Sequence, residues 1–227
     1  MILGEEEKSK YKIEYIGEKF YKDLKAYKII VIGIFGVGKT TTIHKLMGKE
    51  IDKEYSPTMS VDIKNIQVKV NDKIIQLNIW DCCGNDKFAL NTPNLFRNVS
   101  IGIIIFAVNN KKSFEDLEKW YNMLKKHSEG SIIFLIGNKI DLEKEREVEI
   151  KDIEVFKNKY VVDIKIFMET SALYGENMDK LLDNIAITIY EKDKTEENQL
   201  ENALKKTVTL VKEDFAKKDK KKKKKCC

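Results

Sequence analysis

The sequence predicts an α/β protein with a mostly parallel sheet and helices on both faces. Short apolar runs alternate with longer segments of helical spacing, which is typical of βαβ units. A glycine-rich segment, Gly33–Thr40, joins the first apolar run to the first helix. The turn pair Asn71-Asp72 joins the second run to the third, which indicates one antiparallel edge strand. We therefore expect a six-stranded sheet and about five helices.

Each predicted strand is an apolar run bounded by polar or turn residues. The first contains Ile29–Ile32, and the longest uninterrupted run is Ile101–Val108. In order, the predicted strands are Lys28–Gly33, Ser60–Val70, Lys73–Trp80, Ile101–Asn109, Ser131–Gly137 and Lys165–Glu169. Loops that follow parallel strands lie at their carboxyl ends, where open α/β sheets bind ligands. We expect the functional residues at that edge.

The segments between these strands have helical spacing. In order, the predicted helices are Lys39–Met47, Asp86–Arg97, Ser113–Lys126, Ile150–Tyr160 and Asn177–Glu191. Residues 1–26 are a polar extension for which the sequence predicts no element. The longest apolar run is far too short to span a bilayer, and charged residues near the start argue against a secretory signal.

The glycine-rich segment has the complete form GxxxxGK[ST] of a phosphate-binding loop. Its backbone N–H groups can converge on phosphate oxygens, while the lysine reaches the outer phosphates and the threonine hydroxyl binds Mg²⁺. The alternative is a turn without a ligand, which the position between a strand and a helix disfavours. The P-loop NTPase fold follows, with these nucleotide-binding residues: Gly33, Phe35, Gly36, Val37, Gly38, Lys39, Thr40 and Thr41.

A second segment, Gly137–Asp141, identifies the base. It follows the buried-strand run Ile132–Ile136. The Asp141 carboxylate can accept two hydrogen bonds from the N–H edge of guanine, whereas adenine offers no matching pair of donors. Asn138 would hold the loop and the purine, and Lys139 would lie over the ring. The pattern alone is often a surface turn, but after a phosphate loop it favours GTP over ATP.

With these segments in place, the chain resembles the Ras superfamily of small GTPases from about Tyr27 to Glu191. Tyr55-Ser56-Pro57-Thr58 resembles the first switch, and Trp80-Asp81-Cys82-Cys83-Gly84-Asn85-Asp86 resembles the second, usually written WDTAGQE. Glu169-Thr170-Ser171-Ala172 resembles the last guanine loop, which Leu173 follows.

The resemblance implies a role for each of these segments. Thr40 and Thr58 would hold Mg²⁺, and Asp81 would act through a bound water. The backbone N–H of Gly84 would sense the γ-phosphate, and that of Ala172 would meet the base oxygen. The implied nucleotide-binding residues outside the phosphate loop are Ile51, Tyr55, Thr58, Asp81, Gly84, Asn138, Lys139, Asp141, Ser171, Ala172 and Leu173.

Within the superfamily the Rab branch is the most similar. Met59–Ile63 resembles the Rab segment IGVDF, and Gln76–Trp80 resembles KLQIW. The chain ends in Cys226-Cys227, where many Rabs carry two geranylgeranyl groups. The alternative is a pair of unmodified cysteines. The resemblance implies a GTP/GDP switch in vesicle traffic that recruits effectors at its switch regions. It also implies an exchange factor, a GTPase-activating protein, prenylation machinery and a GDP dissociation inhibitor.

The net charge of +5 comes from one tail. Residues Lys217–Lys225 carry +7, so the remainder of the chain is −2. Because no arginine or aromatic residue interrupts the lysines, an anionic membrane fits this run better than nucleic acid does. The four cysteines form two adjacent pairs rather than a disulfide framework, which favours a cytosolic setting. We expect a lipid-anchored protein on the cytoplasmic face of intracellular membranes, with a cytosolic pool.

We expect three parts in the chain. Residues 1–26 are an extension, 27–191 a small GTPase domain and 192–227 a hypervariable tail. In the tail, an apolar stripe at spacings of three and four could form a helix, through Leu200, Leu204, Val208, Val211 and Phe215. A flexible spacer is the alternative that we favour, because several neighbouring residues are β-branched.

Four positions depart from the family pattern. Asn85 replaces the glutamine that orients the attacking water, and its amide is one methylene shorter. Phe35 stands in the phosphate loop where a small residue is usual, and its ring would occupy space that an arginine finger and the attacking water need. Cys82-Cys83 replaces Thr-Ala, and Ile51 replaces an aromatic residue that packs on guanine.

Asn85 and Gly84 are the candidate catalytic residues, and the departures predict that catalysis of GTP hydrolysis is impaired. The alternative function is a GTP-binding module that scarcely hydrolyses GTP and acts by exchange or recruitment. An ATP-dependent phosphotransferase is disfavoured by Asn138 and Asp141. Compensated drift is the alternative explanation of each departure.

Overall fold

The structure is a computed structural model that describes residues 10–18, 20–51, 58, 60–84 and 92–223, with side chains up to residue 207. The chain divides into two units, Met1–Ile187 and Thr188–Cys227. The first unit contains a β-sheet whose strands are β1 Ile13–Gly17, β2 Ala26–Ile32, β3 Asp62–Val70, β4 Lys73–Asp81, β5 Ile101–Ala107, β6 Ile132–Asn138 and β7 Ile164–Thr170.

The sheet order is β1-β3-β4-β2-β5-β6-β7. Strands β4, β2, β5, β6 and β7 pair in parallel, while β1 and β3 are antiparallel to their neighbours. The mixed α/β class and the mostly parallel sheet are confirmed. The expected count of six strands is wrong, because the described part of the chain contains seven.

The additional strand, β1, lies in the extension for which no element was predicted. Its residues, Ile-Glu-Tyr-Ile-Gly, form a short run between charged residues. Main-chain pairing with the edge of β3 stabilises it rather than burial of its own side chains, since none of the five is fully buried. The antiparallel edge therefore contains two strands rather than one.

The helices are α1 Lys39–Leu46, α2 Lys111–Glu115, α3 Leu117–His127, α4 Ile150–Lys159 and α5 Met178–Lys223. The predicted helix over 113–126 is two helices that meet at Asp116. Helix α2 begins two residues earlier than predicted because Asn110 accepts a hydrogen bond from Ser113 N at 3.1 Å. Of the predicted helix Asp86–Arg97, residues 86–91 lie outside the described residues, and Pro93–Phe96 is a 3₁₀ turn.

Helix α5 continues far beyond the predicted end at Glu191. The expectation of a flexible spacer is therefore wrong for the backbone up to Lys223. The β-branched Thr207 is accommodated because its hydroxyl donates to Ala203 O at 3.0 Å, and an i,i+4 pair joins Glu201 to Lys205 at 2.8 Å. Leu200 and Leu204 are 63% and 58% exposed.

The core surrounds strand β5, which is buried along its whole length. Helix α3 packs its apolar side on the sheet through Leu117, Trp120 and Leu124, which are all almost fully buried. A row of aromatic rings continues this core, with Phe106 and Phe114 at 5.2 Å between centroids and Phe114 and Phe156 at 5.8 Å. This packing fixes the strands whose carboxyl ends carry the site.

No helix within the described residues is long and apolar enough to cross a membrane.

Candidate nucleotide site

The phosphate loop lies between β2 and α1, where the sequence predicted it. Lys39 is buried, and its Nζ donates to the Ile34 carbonyl at 2.9 Å, so its ammonium group lies over the loop. Burial lowers the pKa of Lys39, and the negative charge of Asp81 opposes that shift. An ammonium group held in this way can bind phosphate oxygens placed above the loop.

Gly38 shows why the motif requires glycine. Its φ of 95° is left-handed, and a Cβ at this position would lie 2.4 Å from Asn138 Nδ2. The same amide donates to Val37 O at 2.8 Å. The phosphate loop is therefore joined directly to the base loop by one buried asparagine, which is 2% exposed.

Asn138 also accepts hydrogen bonds from the opposite side. Its Oδ1 accepts from Thr170 Oγ1 at 3.2 Å and from Ala172 N at 3.0 Å. One side chain thus connects the three loops that were predicted to surround a nucleotide. Since a buried amide left without these partners would destabilise the fold, the three loops form one unit.

Asp141 and Ser171 are also brought together. The Ser171 hydroxyl donates to Asp141 Oδ1 at 2.5 Å and accepts from Tyr174 N at 3.2 Å. Lys139, between Asn138 and Asp141, has a left-handed φ of 70°, which turns the chain so that Asp141 stands at the surface of the site. The orientation of the candidate base acceptor is therefore fixed by the last loop.

Arg146 was missed by the sequence analysis. Its guanidinium forms paired bonds to Glu169, at 2.9 and 3.2 Å, and its Nε donates to Glu143 at 2.8 Å. Glu143 belongs to the turn after Asp141, and Glu169 precedes Thr170, so Arg146 joins the two base loops. A single arginine within a charged run gives no pattern from which this role could be inferred.

The candidate metal ligands are neighbours. The Thr40 hydroxyl donates to Asp81 Oδ2 at 2.6 Å and lies 2.8 Å from Thr58 Oγ1. Asp81 is buried, its Oδ1 has no hydrogen-bond partner, and burial raises its pKa. Mg²⁺ prefers oxygen ligands, and it would neutralise this carboxylate. The residues present therefore fit Mg²⁺.

The second-switch segment begins against the phosphate loop. A Cβ on Gly84 would lie 2.3 Å from Phe35 N, so only glycine allows this approach. The side chain of Phe35 is 56% exposed beside it. Cys82 and Cys83 are buried, and burial raises the pKa of the Cys82 thiol to about 12. The Cys82 thiol is therefore held neutral at physiological pH.

The remaining predicted residues have ordinary positions around this centre. Val37 is buried, Gly36 is exposed, and Thr41 is half-buried in the first turn of α1. Ile51 is half-buried after α1, and Leu173 is 48% exposed. Four predicted residues lie outside the described residues: Tyr55, Asn85, Cys226 and Cys227.

Comparison with known proteins agrees with this geometry. The family model described as "Ras family" matches residues 28–191. The chain is similar to Ras-related protein RABA1g of Arabidopsis thaliana, with 31% identity over 165 residues that cover 72% of this chain and 75% of the relative. It is similarly related to Ras-related protein Rab11B of Nicotiana tabacum, with 30% identity and the same coverage.

The chain belongs to the Rab family of small GTPases. The matched residues of this Rab-family chain contain the phosphate loop, the candidate metal ligands and both base loops. Strand β1 lies outside the matched residues, as does the end of the chain from residue 192. Ras and Rab GTPases bind guanine nucleotides, usually with Mg²⁺, and the described site has the residue types that this chemistry requires.

Proposed function

We propose that this Rab-family chain is a GTP/GDP switch of intracellular vesicle traffic that recruits effectors in its GTP state and hydrolyses GTP slowly. The observation that carries nucleotide binding is the hydrogen-bonding of Asn138, which joins the phosphate loop to both base loops. The proposed base selector is Asp141, which Ser171 orients. A carboxylate held in this way favours guanine because it leaves no productive pairing for adenine.

Thr40, Thr58 and Asp81 would hold Mg²⁺. When bound, the ion would neutralise charge on the β- and γ-phosphate oxygens. The unpartnered Asp81 Oδ1 supports this assignment, since a buried carboxylate oxygen without any partner is costly. Lys39 would bind the same phosphate oxygens from its buried position over the loop.

Slow hydrolysis is inferred from residues beside the γ-phosphate position. Asn85 cannot extend as far as a glutamine. The backbone of Phe35, whose ring is exposed, lies beside Gly84 on the phosphate loop. Positioning of the attacking water contributes a large part of this reaction's rate, so two changes near one water are expected to act together. We propose Asn85 and the Gly84 backbone N–H as the residues on which the residual rate depends.

A single-turnover measurement tests this proposal. Purified full-length protein loaded with GTP and Mg²⁺ should retain most of its GTP over a time in which an ordinary Rab converts it to GDP. Tight GTP binding with slow conversion supports the proposal. Rapid conversion without any partner contradicts slow hydrolysis, and failure to bind GTP contradicts the switch itself.

A GTP-binding module that scarcely hydrolyses GTP is the second candidate. Phe35 favours it, because a ring at that position would also exclude an arginine finger supplied by an activating protein. The two candidates differ in their response to such a protein. A rate that rises when a Rab-activating protein is added supports a complete cycle, whereas an unchanged rate supports control by exchange factors or recruitment.

We further propose that the tail anchors the protein to the cytoplasmic face of intracellular membranes, in exchange with a cytosolic pool. Prenyl groups on Cys226 and Cys227 would provide the lipid anchor, and a GDP dissociation inhibitor would extract the protein from the membrane. Two chains give stable attachment, and each nearby lysine adds about 1 kcal/mol on an anionic surface. The exposed Leu200 and Leu204 are an additional apolar element on α5.

Replacing both terminal cysteines should release the protein from membranes. We expect Cys226→Ser with Cys227→Ser to be cytosolic, whereas replacing Lys220–Lys225 with glutamine should only redistribute the protein among membranes, since salt screens their attraction. Membrane pelleting of cell fractions at low and high salt measures both effects. If the serine variant still pellets at high salt, the lipid anchor is not the cysteine pair.

A further inference from the structure

The edge of the sheet beyond β3 is covered by the chain's own N-terminal segment. Strand β1 pairs antiparallel with the second half of β3, with Ile13 opposite Val70 and Tyr15 opposite Val68. Asn71 closes the start of this pairing, because its backbone N–H donates to Lys12 O at 2.8 Å and its side-chain Oδ1 accepts from Lys12 N at 3.0 Å. We name residues 10–24 the N-terminal strap.

The far end of the strap is held by a buried glutamine. Gln76 Oε1 accepts from Tyr21 N at 2.8 Å, and its Nε2 donates to Tyr21 O at 3.3 Å, so the side-chain amide pairs with the strap's backbone as another strand would. Gln67 Nε2 also donates to Gln76 Oε1, at 3.2 Å. Both glutamines are 1% exposed or less, so their bonds to the strap are protected from water.

Elsewhere the strap is weakly attached. No side chain of β1 is fully buried, and the ion pair between Glu18 and Lys49, at 2.8 Å, has both partners more than 40% exposed. The pairing with β3 becomes irregular after Tyr15 and stops at Gly17, whose φ of 127° turns the chain away. Between the β3 pairing and the Gln76 contact, the Tyr15 hydroxyl donates only a long hydrogen bond to Met47 O, at 3.5 Å, and little apolar surface is buried.

The strap covers only part of its strand. It pairs with Gln67–Val70, whereas no other strand among the described residues pairs with Asp62–Ile66 on the side away from β4. Ile63, within that open half, is 44% exposed. An extended segment could pair first with these open backbone groups and then replace the strap residue by residue.

We propose that the N-terminal strap is an internal competitor for a strand-addition site along the edge of β3. The site accepts an extended segment of a partner protein, which begins at Asp62–Ile66 and displaces the strap from Gln67–Val70. The strap's own residues define the chemistry of that segment. It has apolar side chains opposite Val68 and Val70 and a carboxylate opposite Lys69, where the strap places Glu14.

A synthetic strap peptide tests the site in the full-length chain. The probe is a fluorescent peptide with the sequence of residues 10–24. The releasing variant is Ile13→Asp with Ile16→Asp, which changes two half-buried strap side chains and leaves β3 intact. The matched control, Phe20→Asp with Tyr21→Asp, adds the same two charges at exposed strap positions. Neither pair belongs to the proposed nucleotide site.

We expect the releasing variant to bind the peptide about tenfold more tightly than the wild type, because a closed strap lowers the apparent affinity by the open fraction. The control should bind as weakly as the wild type. In hydrogen exchange, the amides of Gln67–Val70 should lose protection in the releasing variant and regain it with peptide, while those of β5 and β6 stay protected and show that the fold is intact.

Gln76→Met loosens the strap at its contact with Tyr21. It is the second releasing variant and replaces Ile13→Asp with Ile16→Asp if that double variant does not fold. It removes the pairing with Tyr21 at nearly constant volume, so exchange at Gln67–Val70 should also rise. Unchanged protection in both variants overturns the proposal, as does peptide binding that is equal in wild type and releasing variant. A released edge that does not bind the peptide, or a wild-type dimer that exchanges straps, overturns it as well.

Discussion

The two ends of the candidate nucleotide site are built differently. At the base end, three separate sets of hydrogen bonds join the loops: Asn138 bonds to the phosphate loop and to Ala172, Ser171 bonds to Asp141, and Arg146 bonds to Glu169. At the phosphate end, the candidate metal ligands are also joined by hydrogen bonds, but the positions next to them are occupied by an exposed ring and two buried thiols.

This difference separates binding from turnover. Binding a guanine nucleotide requires donors and acceptors at fixed positions, and the described loops hold the polar groups that we propose for this role. Hydrolysis further requires a positioned water molecule and a stabilised transition state. The chain departs from the family pattern at Phe35 and Asn85, two positions that would serve this second requirement. The comparison therefore favours a switch whose GTP state is long-lived.

The largest expected effect is at the base end. Asp141→Asn removes a double acceptor and presents a donor where guanine also donates. We expect GTP affinity to fall about 10²–10³-fold, from the loss of two bonds to a charged group. Xanthine nucleotides should gain affinity, because their edge is complementary to an amide.

Titration of fluorescent GTP and XTP analogues against wild type and variant measures both changes. Ser171→Ala is the matched control, since it removes the hydrogen bond that orients Asp141 but keeps the acceptor. Its loss should be smaller, and it should not favour XTP. Unaltered GTP binding in Asp141→Asn means that the base is recognised elsewhere.

Much of this site could be predicted because its chemistry depends on residues that are close in sequence. Gly38, Lys39 and Thr40 belong to one loop, so their spacing alone predicted phosphate binding. The clustering of Thr40, Thr58 and Asp81 required the family resemblance, because Thr58 is 18 positions and Asp81 is 41 positions from Thr40 in the sequence. The structure brings them within hydrogen-bonding distance as expected.

What could not be predicted depends on contacts between distant segments. Arg146 lies in a charged run, and only the fold places it between Glu143 and Glu169. Strand β1 is a five-residue run whose stability comes from the edge of β3, more than forty positions away. The predicted end of helix α5 at Glu191 was too early. The β-branched residues of the tail lower helix propensity, and the hydrogen bond from Thr207 to Ala203 is not visible in the sequence.

The next effect is at the phosphate end, where we expect the rate of hydrolysis to rise. Asn85→Gln restores the longer amide, and Phe35→Gly removes the ring beside Gly84. Because both changes act on one water, the double variant should exceed the product of the single effects, by about tenfold or more in rate.

Single-turnover rates of the wild type, the two single variants and the double variant form a double-mutant cycle. GTP affinity is measured in parallel to show that binding is unchanged. Val155→Ala, at an exposed position of α4, provides a control outside the candidate nucleotide site. Strictly multiplicative effects would mean that Phe35 and Asn85 act independently and that no shared water is involved.

A smaller effect is expected where the two base loops are joined. Arg146→Met should lower the free energy of unfolding by about 1–2 kcal/mol, discounted for partial exposure of its partners, because it leaves Glu169 without its paired donor. GDP release should accelerate. Arg146→Lys keeps the positive charge but cannot form the paired bonds of a guanidinium group. Its free energy of unfolding should lie between those of the wild type and Arg146→Met. Thermal unfolding with and without GDP distinguishes a local effect on the base loops from general destabilisation, and Lys144→Met on the same turn should be neutral.

The smallest effect is expected at Ile51, which replaces the aromatic residue that the family packs on guanine. Ile51 is half-buried after α1, and as proposed it would give apolar contact but no ring face to the purine. Ile51→Phe should slow GDP release about three- to tenfold, the usual gain from an aromatic pair beyond burial of area. Ile51→Leu, which adds no ring, is the control. Stopped-flow release of a fluorescent GDP compares them. A slower rate in the phenylalanine variant alone places Ile51 beside the base and makes rapid exchange, together with slow hydrolysis, a property of this chain. An unchanged rate removes Ile51 from the pocket, and the base end then depends on its hydrogen-bonded loops alone.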